Sequence, residues 1–219
     1  MVSKIAAMYQ LPAADRVTRY EWEVKRSRFI TLIARTMTED DASCFISQVR
    51  SEFPDARHHC SAFILHADGS NPIERSSDDG EPSGTAGQPM LEALRGSGLM
   101  DVTAVVVRYF GGVKLGTGGL VHAYSHSVVA ALPLVTRVHR LRQEICTVEL
   151  PHGDAGRIEA DLRAHGFRII DVAYSTQVRY TLAVDPSQIA NLEHRLAAQT
   201  SGALSEVTRG GETWLELSA

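Results

Sequence analysis

The stretch that most constrains the fold runs from Thr103 to Phe110, TAVVVRYF. A continuous apolar run of this kind, rich in valine, is typical of a β-strand that is covered on both faces. Arg108 stands near its end, and a charged group beside a buried strand needs a counterion or a ligand. The run therefore predicts a buried strand that carries one conspicuous cation.

A glycine-rich turn follows, Phe110 to Leu120 (FGGVKLGTGGL), and a predicted helix begins after it. The Walker A pattern fails because Thr117 stands in the lysine position, and the Rossmann pattern fails because Val121 stands where Gly or Ala belongs. The turn still exposes backbone N–H groups at a helix N-terminus, where the helix dipole favours an anion, and Lys114 adds a cation. A tight turn packed against a neighbour is the structural alternative.

A second unusual stretch precedes this strand, Arg75 to Leu91 (RSSDDGEPSGTAGQPML). It is polar, rich in Gly, Ser and Thr, and carries three carboxylates in four residues, Asp78, Asp79 and Glu81. Ordinary packing does not require this composition, and loops of this kind are usually functional. We expect the two glycine-rich stretches to converge on one site.

The composition favours a cytoplasmic protein. The chain has 219 residues, of which 44% are hydrophobic, and no apolar run approaches the ~18 residues of a membrane span. The N-terminal segment shows neither a long apolar core nor a cleavage site for secretion. The three cysteines, Cys44, Cys60 and Cys146, are scattered and odd in number, which argues against a disulfide framework.

The charge distribution argues against binding nucleic acid by bulk charge. Up to Arg140 the chain has 15 Lys and Arg against 15 Asp and Glu, and beyond it 7 against 11. Neither part is a basic domain, so only a local basic patch could contact phosphates.

The first part of the chain shows helix and strand patterns after a polar lead-in. Tyr20 to Arg35 predicts two strands around a turn at Lys25 to Ser27, and its cations are either a binding edge or a solvated turn. Thr38 with Asp41 predicts a capped helix that Pro54 ends. Further segments predict a strand at Arg57–His66, a helix at Ala86–Arg95 and a helix from Gly119 to about Val135.

The second part follows a β-α-β-β-α-β pattern from Ile145 onward, as in the ferredoxin-like split βαβ arrangement. Arg137 to Glu144 predicts a connector because the apolar periodicity lapses there. We therefore divide the chain into domains at residues 1–140 and 141–219. The last segments predict a single strand or a hairpin that turns at Gly210-Gly211, after a helix that Ser201-Gly202 ends.

Two long motifs in this order resemble the YigZ/IMPACT family: RSSDDGEPSGTAGQPML and VVVRYFGGVKLGTGGLVHAY. The segments KRSRFI and HHCSAF fit the same family, and the resemblance covers roughly Tyr20 to Arg137. It implies an α+β fold. The first domain would resemble the second domain of ribosomal protein S5, with helices on one face of a sheet. The second would be ferredoxin-like, as in domain V of elongation factor G. Eukaryotic IMPACT relatives regulate translation.

Two functions follow as hypotheses. In the first, the protein binds RNA, the ribosome or a protein partner in translation control, without a cofactor, a metal or a catalytic residue. Cations would contact phosphates and backbone amides would fix the register. The residues assigned to this anion-binding site are Arg75, Ser76, Ser77, Gly80, Ser83, Gly84, Thr85, Arg108, Lys114, Gly116, Thr117, Gly118 and Gly119.

In the second hypothesis, the protein is an enzyme that acts on a phosphorylated small molecule. Asp78, Asp79 and Glu81 would hold a magnesium ion while the glycine turn binds phosphate. The same three carboxylates could instead form structural ion pairs with Arg75 and Arg108.

Overall fold

The computed structural model of the chain describes residues 8–200 and 207–218. They form two compact units. The first comprises the described residues up to His139 together with Leu217 and Ser218, and the second runs from Arg140 to Glu216. Within these described ranges, none of the helices has both the length and the apolar character needed to cross a bilayer.

A five-stranded antiparallel sheet forms the centre of the first unit, with the strand order β2-β3-β6-β4-β5. Strand β6 lies between β3 and β4 and is buried from Val102 to Arg108, which confirms the predicted doubly covered strand. The strands are β2 (Thr18–Val24), β3 (Ser27–Arg35), β4 (His58–Leu65), β5 (Ile73–Ser77) and β6 (Val102–Tyr109).

The turn between β2 and β3 is predicted correctly and is two residues long, since Val24 pairs with Ser27. Lys25 and Arg26 both have positive φ, 47° and 63°, as a primed hairpin turn requires. The prediction of a polar lead-in is only partly correct. This segment contains a further strand, β1 (Met8–Pro12), in which Leu11 is fully buried. Strand β1 pairs with β7 (Arg137–Leu150), whose first residues belong to the same unit.

Three helices cover this sheet: α1 (Glu39–Glu52), α2 (Gly87–Ser97) and α3 (Thr117–Ala131). The capping box predicted for α1 is present, with Thr38 and Asp41 each bonding the other's backbone N–H. Helix α3 is shorter than predicted, because its last residues before Val135 form a 3₁₀ turn.

The helices lie on both faces of the sheet, and the expectation of helices on one face is wrong. Met90 of α2 and Tyr124 of α3 pack in one core with Phe29 of β3. Phe45 of α1 packs on the opposite face with Val107 of β6. The central strands carry apolar side chains in both directions, so each face needs a cover.

The second unit has the predicted β-α-β-β-α-β order. After β7 its elements are α4 (His152–Ala164), β8 (Arg168–Tyr174), β9 (Val178–Val184), α5 (Ile189–Gln199) and β10 (Thr208–Ser218). The strands lie in the order β8-β9-β7-β10, and both helices pack into a single core with the sheet. This is the ferredoxin-like arrangement, and with the first unit it confirms the α+β fold class.

The segment Arg137–Glu144 is not a connector, because it forms the first half of β7. All eight of its residues are half-buried, so buried and exposed side chains do not alternate along this part of the strand. Backbone hydrogen bonds hold a strand whatever its side chains are, which explains why periodicity missed it.

The chain closes as one strand, β10, without a hairpin at Gly210-Gly211. Helix α5 ends at Gln199, with Thr200 as its C-terminal cap. The predicted helix end at Ser201-Gly202 and the segment Ala203–Glu206 lie outside the described residues.

Candidate functional site

One end of the first unit's sheet brings the two glycine-rich stretches together. Strand register pairs Arg28 of β3 with Tyr109 of β6, and Arg108 of β6 with His58 of β4. The β2–β3 turn, the start of β4 and the end of β6 therefore share this end, with neighbouring strands about 5 Å apart. The first glycine-rich loop begins after β5, which pairs with β4 at the same end through Ser77 and Ser61.

Asp78 organises the first loop from within. One of its carboxylate oxygens accepts hydrogen bonds from the backbone N–H groups of Ala86 and Gly87, at 2.9 and 2.8 Å, and the other accepts one from Gly84 at 2.7 Å. Burial raises the pKa of Asp78, but the hydrogen bonds from these three amides lower it by more. The pKa of Asp78 is therefore below its ordinary value. Asp78 thus occupies the N-terminus of α2 in the manner of a bound anion.

The backbone of the loop is fitted to this arrangement. Gly80 and Gly84 have positive φ, 83° and 74°, which favours glycine. A Cβ on Gly87 would lie 2.8 Å from the backbone N of Ser77, so a side chain there would force the loop away from β5. Of the loop residues predicted to bind an external phosphate, Gly84 therefore already donates its amide to the chain's own carboxylate.

Asp79 ties the loop to α1 and β4. Its carboxylate pairs with the guanidinium of Arg50 and accepts the backbone N–H of His59 at 2.6 Å. Its carbonyl oxygen lies 2.9 Å from Nδ1 of His58. Burial raises the pKa of Asp79, but the hydrogen bonds from His59 and Arg50 outweigh it and lower the pKa.

Glu81 forms the buried ion pair of this region. Its carboxylate accepts hydrogen bonds from Arg108 at 2.6 Å and from the hydroxyl of Tyr124 at 2.8 Å. The side chains of Glu81 and Arg108 are only 4% and 7% exposed. Arg108 also approaches Oγ of Ser27 at 3.5 Å. The predicted pairing of an acid with Arg108 is therefore observed, but the direct phosphate contact assigned to Arg108 is not available to a buried, paired guanidinium.

Cys60 and Tyr124 lie beneath this ion pair. Both are fully buried, and the thiol of Cys60 donates to the carbonyl of Asp78 at 3.0 Å. Burial raises the pKa of Cys60 to about 12, and burial with the neighbouring Cys60 and Glu81 raises the pKa of Tyr124. Both groups stay neutral, so neither is an activated nucleophile or base.

The acidic triplet does not converge on a common point. Asp78 is held by backbone amides, Asp79 by Arg50 and His59, and Glu81 by Arg108 and Tyr124. Within residues 8–200 and 207–218, no group of three or more His, Cys, Asp or Glu side chains could hold a metal ion. Each of the three acids is bound by a different set of partners within the protein, so they do not form a common magnesium site.

The second glycine-rich turn packs against the β2–β3 turn. A Cβ on Gly111 would lie 2.0 Å from the backbone of Arg26. The backbone N–H of Gly111 donates to Oγ of Ser27 at 3.2 Å. Only glycine allows this close approach. Gly116, with φ of 74°, precedes α3 without a side-chain cap, and the first turn of α3 carries no acid.

The N-terminus of α3 is consequently open to solvent. Thr117 and Gly118 are exposed, Gly119 is half-buried, and Gly116 provides no side-chain cap for the first backbone N–H groups of α3. Lys114 is exposed three residues after Gly111, within about 11 Å of it along the chain.

Besides Arg28 and Arg50, which pair with Glu21 and Asp79, four exposed cations lie at this end of the sheet. We call them the basic end: Lys25, Arg26, Arg57 and Lys114. None of them forms an ion pair with another described residue. The sequence favoured a solvated turn for Lys25 and Arg26 and left Arg57 unassigned. Only the register of β4 and β6 and the approach of Gly111 bring them near Lys114.

The other predicted binding residues lie elsewhere or point inward. Arg75 lies on the edge strand β5, separated from the β2–β3 turn by two strands, and it pairs with Glu39 at 3.9 Å rather than with a loop carboxylate. The predicted pairing of Arg75 with the triplet is wrong. Thr85 is buried and donates to the carbonyl of Pro82. Three exposed serines remain, Ser76 and Ser77 at the end of β5 and Ser83 in the loop.

Two family models match the chain in sequence. The Impact N-terminal domain matches residues 25–132, and a domain of unknown function, DUF1949, matches residues 148–203. The first match contains the buried ion pair, both glycine-rich stretches and the basic end.

Curated relatives match almost the whole length. The IMPACT family member YigZ of Escherichia coli (strain K12) is 43% identical over 194 residues, covering 89% of this chain and 94% of that protein. The IMPACT family member YvyE of Bacillus subtilis (strain 168) is 38% identical over 198 residues, covering 90% and 89%. A solved structure titled as that of a hypothetical protein is 40% identical, with a TM-score of 0.63 over 93% of this chain and 98% of that one. The chain described here therefore belongs to the IMPACT family.

Proposed function

We propose that this protein is a translation-associated regulatory protein that binds RNA, free or within the ribosome, through the basic end and the N-terminus of α3. Membership of the IMPACT family supports the process, because the resemblance to that family implies a role in the regulation of translation. The observation that supports RNA as the partner is that unpaired cations and uncapped helix amides lie at the same end of the sheet.

This surface has the chemistry that a phosphate backbone needs. Lys25, Arg26, Arg57 and Lys114 supply positive charge without a competing carboxylate partner. The amides at the start of α3 supply hydrogen-bond donors that carry no sequence preference. The net charge of the chain is -4, so the attraction is local rather than global.

The first loop has a supporting role in this proposal. Asp78 accepts the first amides of α2, and Glu81 pairs with the guanidinium of Arg108, both within the protein. The loop and Arg108 therefore hold the shape of the sheet end, while the basic end contacts the ligand.

The salt dependence of RNA binding tests the proposal. Each phosphate neutralised by a cation releases counterions, so the logarithm of affinity should fall linearly with the logarithm of salt concentration. Lys114→Ala should weaken binding of all RNA sequences and flatten this slope by about one unit. The measurement is a series of fluorescence anisotropy titrations of labelled RNA and of purified ribosomes at several salt concentrations.

Arg168→Ala is the matched control. Arg168 is also an exposed cation without an ion-pair partner among the described residues, but it lies on β8 of the second unit. It should leave both affinity and slope unchanged. Equal effects of the two substitutions, or unchanged binding in Lys114→Ala, would contradict the assignment of the basic end.

A further inference from the structure

An aromatic side chain stands exposed within the basic end. Phe110 follows β6 directly and is 51% exposed, and Val113 in the same turn is 41% exposed. Phe110 precedes Gly111, which packs on Arg26, and the N-terminus of α3 begins a few residues later. A large apolar ring beside unpaired cations and open amides calls for a ligand that is both apolar and anionic.

The ring of Phe110 is held in place from inside the protein. The guanidinium of Arg108 lies over this ring, 5.7 Å from its centroid, and over the ring of Phe29 at 5.6 Å. Arg108 is itself fixed by Glu81 and approaches Ser27, and it is 6% exposed. An exposed ring that rests on a buried, ion-paired cation loses little freedom when a flat ligand stacks on it.

The contact between Arg108 and Phe110 links the acidic loop to an exposed side chain of the basic end. Glu81 positions Arg108, and Arg108 positions Phe110, so the loop acts on the surface through two contacts without touching a ligand. Glu81 and Arg108 are in this sense positioning residues.

We infer that Phe110 is a stacking platform for an unpaired base and that the basic end takes single-stranded rather than duplex RNA. The inference rests on the proposed RNA binding and specifies its substrate class. Bases in a duplex are stacked on one another and cannot reach an aromatic side chain, whereas an unpaired base can stack on one while cations hold its phosphates. The occupant must supply a flat apolar surface and phosphates together, which an unpaired nucleotide does.

The test compares one labelled 12-nucleotide RNA as a single strand and as a duplex with its complement, at fixed salt. Phe110→Leu keeps an apolar side chain but removes the aromatic ring, and it should weaken single-strand binding about 5- to 150-fold, the loss of one stacked base. Binding of the duplex should stay unchanged. Phe110→Trp should bind the single strand at least as tightly as the parent.

A spectroscopic signal separates stacking from a general structural effect. In the Phe110→Trp variant, indole fluorescence should be quenched by the single strand beyond the change seen with the parent, whose tryptophans are Trp22 and Trp214. Tyr174→Leu is the matched control, because Tyr174 is an aromatic residue that is 74% exposed on β8 of the second unit. It should not change binding of either RNA, and melting curves should show that all variants are folded.

The outcomes distinguish the two proposals. If Phe110→Leu binds the single strand as the parent does while Lys114→Ala still flattens the salt slope, the stacking role is overturned and RNA binding by the basic end stands. If the parent binds neither RNA at any salt concentration, both are overturned, and the exposed ring is a contact for a protein.

Discussion

The two units of this protein use arginine–carboxylate pairs in opposite ways. In the first unit, Glu81 and Arg108 form a pair whose side chains are 4% and 7% exposed. In the second, Glu149 and Arg179 pair at the same distance, 2.6 Å, but their side chains are 40% and 56% exposed. Breaking an arginine–carboxylate pair is costly to stability where water is excluded, whereas an exposed pair contributes little to stability.

Free charge is also distributed differently. In the first unit, the carboxylates of Asp78, Asp79 and Glu81 are bound by backbone amides, Arg50 and Arg108, while the basic end stays unpaired. The chain beyond Arg140 has 7 cations against 11 acids, and several of its arginines are paired with acids on its surface. The comparison teaches that the position of the acids, rather than net charge, leaves a surface able to attract an anion.

The largest effect should come from cutting the chain. A fragment of residues 137–219 should fold and melt cooperatively by itself, because β7, β9 and the two helices enclose one core. A fragment of residues 151–219 lacks β7, which pairs with both β9 and β10, and should not fold. Circular dichroism melting curves distinguish the two. Cooperative melting of the shorter fragment, or a molten longer one, would contradict the independence of the second unit.

The next effect should come from the buried pair. Glu81→Ala leaves the guanidinium of Arg108 buried without its counterion, and it should lower the free energy of unfolding by about 3–5 kcal/mol. The matched change in the second unit, Glu149→Ala, removes an exposed pair and should cost about 0–1 kcal/mol. Urea unfolding of both variants measures the difference. Similar losses would mean that burial does not separate the two pairs.

The smallest effect concerns Asp78 and acid. The pKa of Asp78 is depressed in the folded state, because the hydrogen bonds from three backbone amides outweigh the effect of burial. Its contribution to the free energy of unfolding is therefore present above the ordinary carboxyl pKa and is lost as pH falls through the lower pKa of the folded state. Asp78→Asn should lower the free energy of unfolding by about 1–2 kcal/mol at pH 7. The gap from the parent should narrow below pH 3.8, the ordinary value.

Asp185 provides the comparison in the second unit. Its pKa is lowered by hydrogen bonds from the hydroxyl and the backbone N–H of Ser187, in an exposed turn. Because water replaces these bonds readily, Asp185→Asn should change stability by less than Asp78→Asn across the same pH series. Parallel pH profiles for the parent and Asp78→Asn would exclude a depressed pKa at Asp78.

The sequence by itself determined the features that depend on neighbours along the chain. The valine run of β6, the capping box of Thr38 and Asp41, the β2–β3 turn and the split βαβ order of the second unit were all predicted correctly. These features follow from local backbone preferences and from the spacing of apolar side chains, which a sequence displays directly. The family resemblance likewise rested on contiguous motifs.

Tertiary structure decided which charged groups meet, because those contacts join residues far apart in the chain. Glu81 reaches Arg108 across 27 positions, and Gly111 meets Arg26 across a far longer separation. The sequence placed Arg108 on the binding surface, whereas packing buried it and left Phe110 exposed in its place. Strand register and helix packing set such distances, and both are fixed only when the two faces of the sheet are covered.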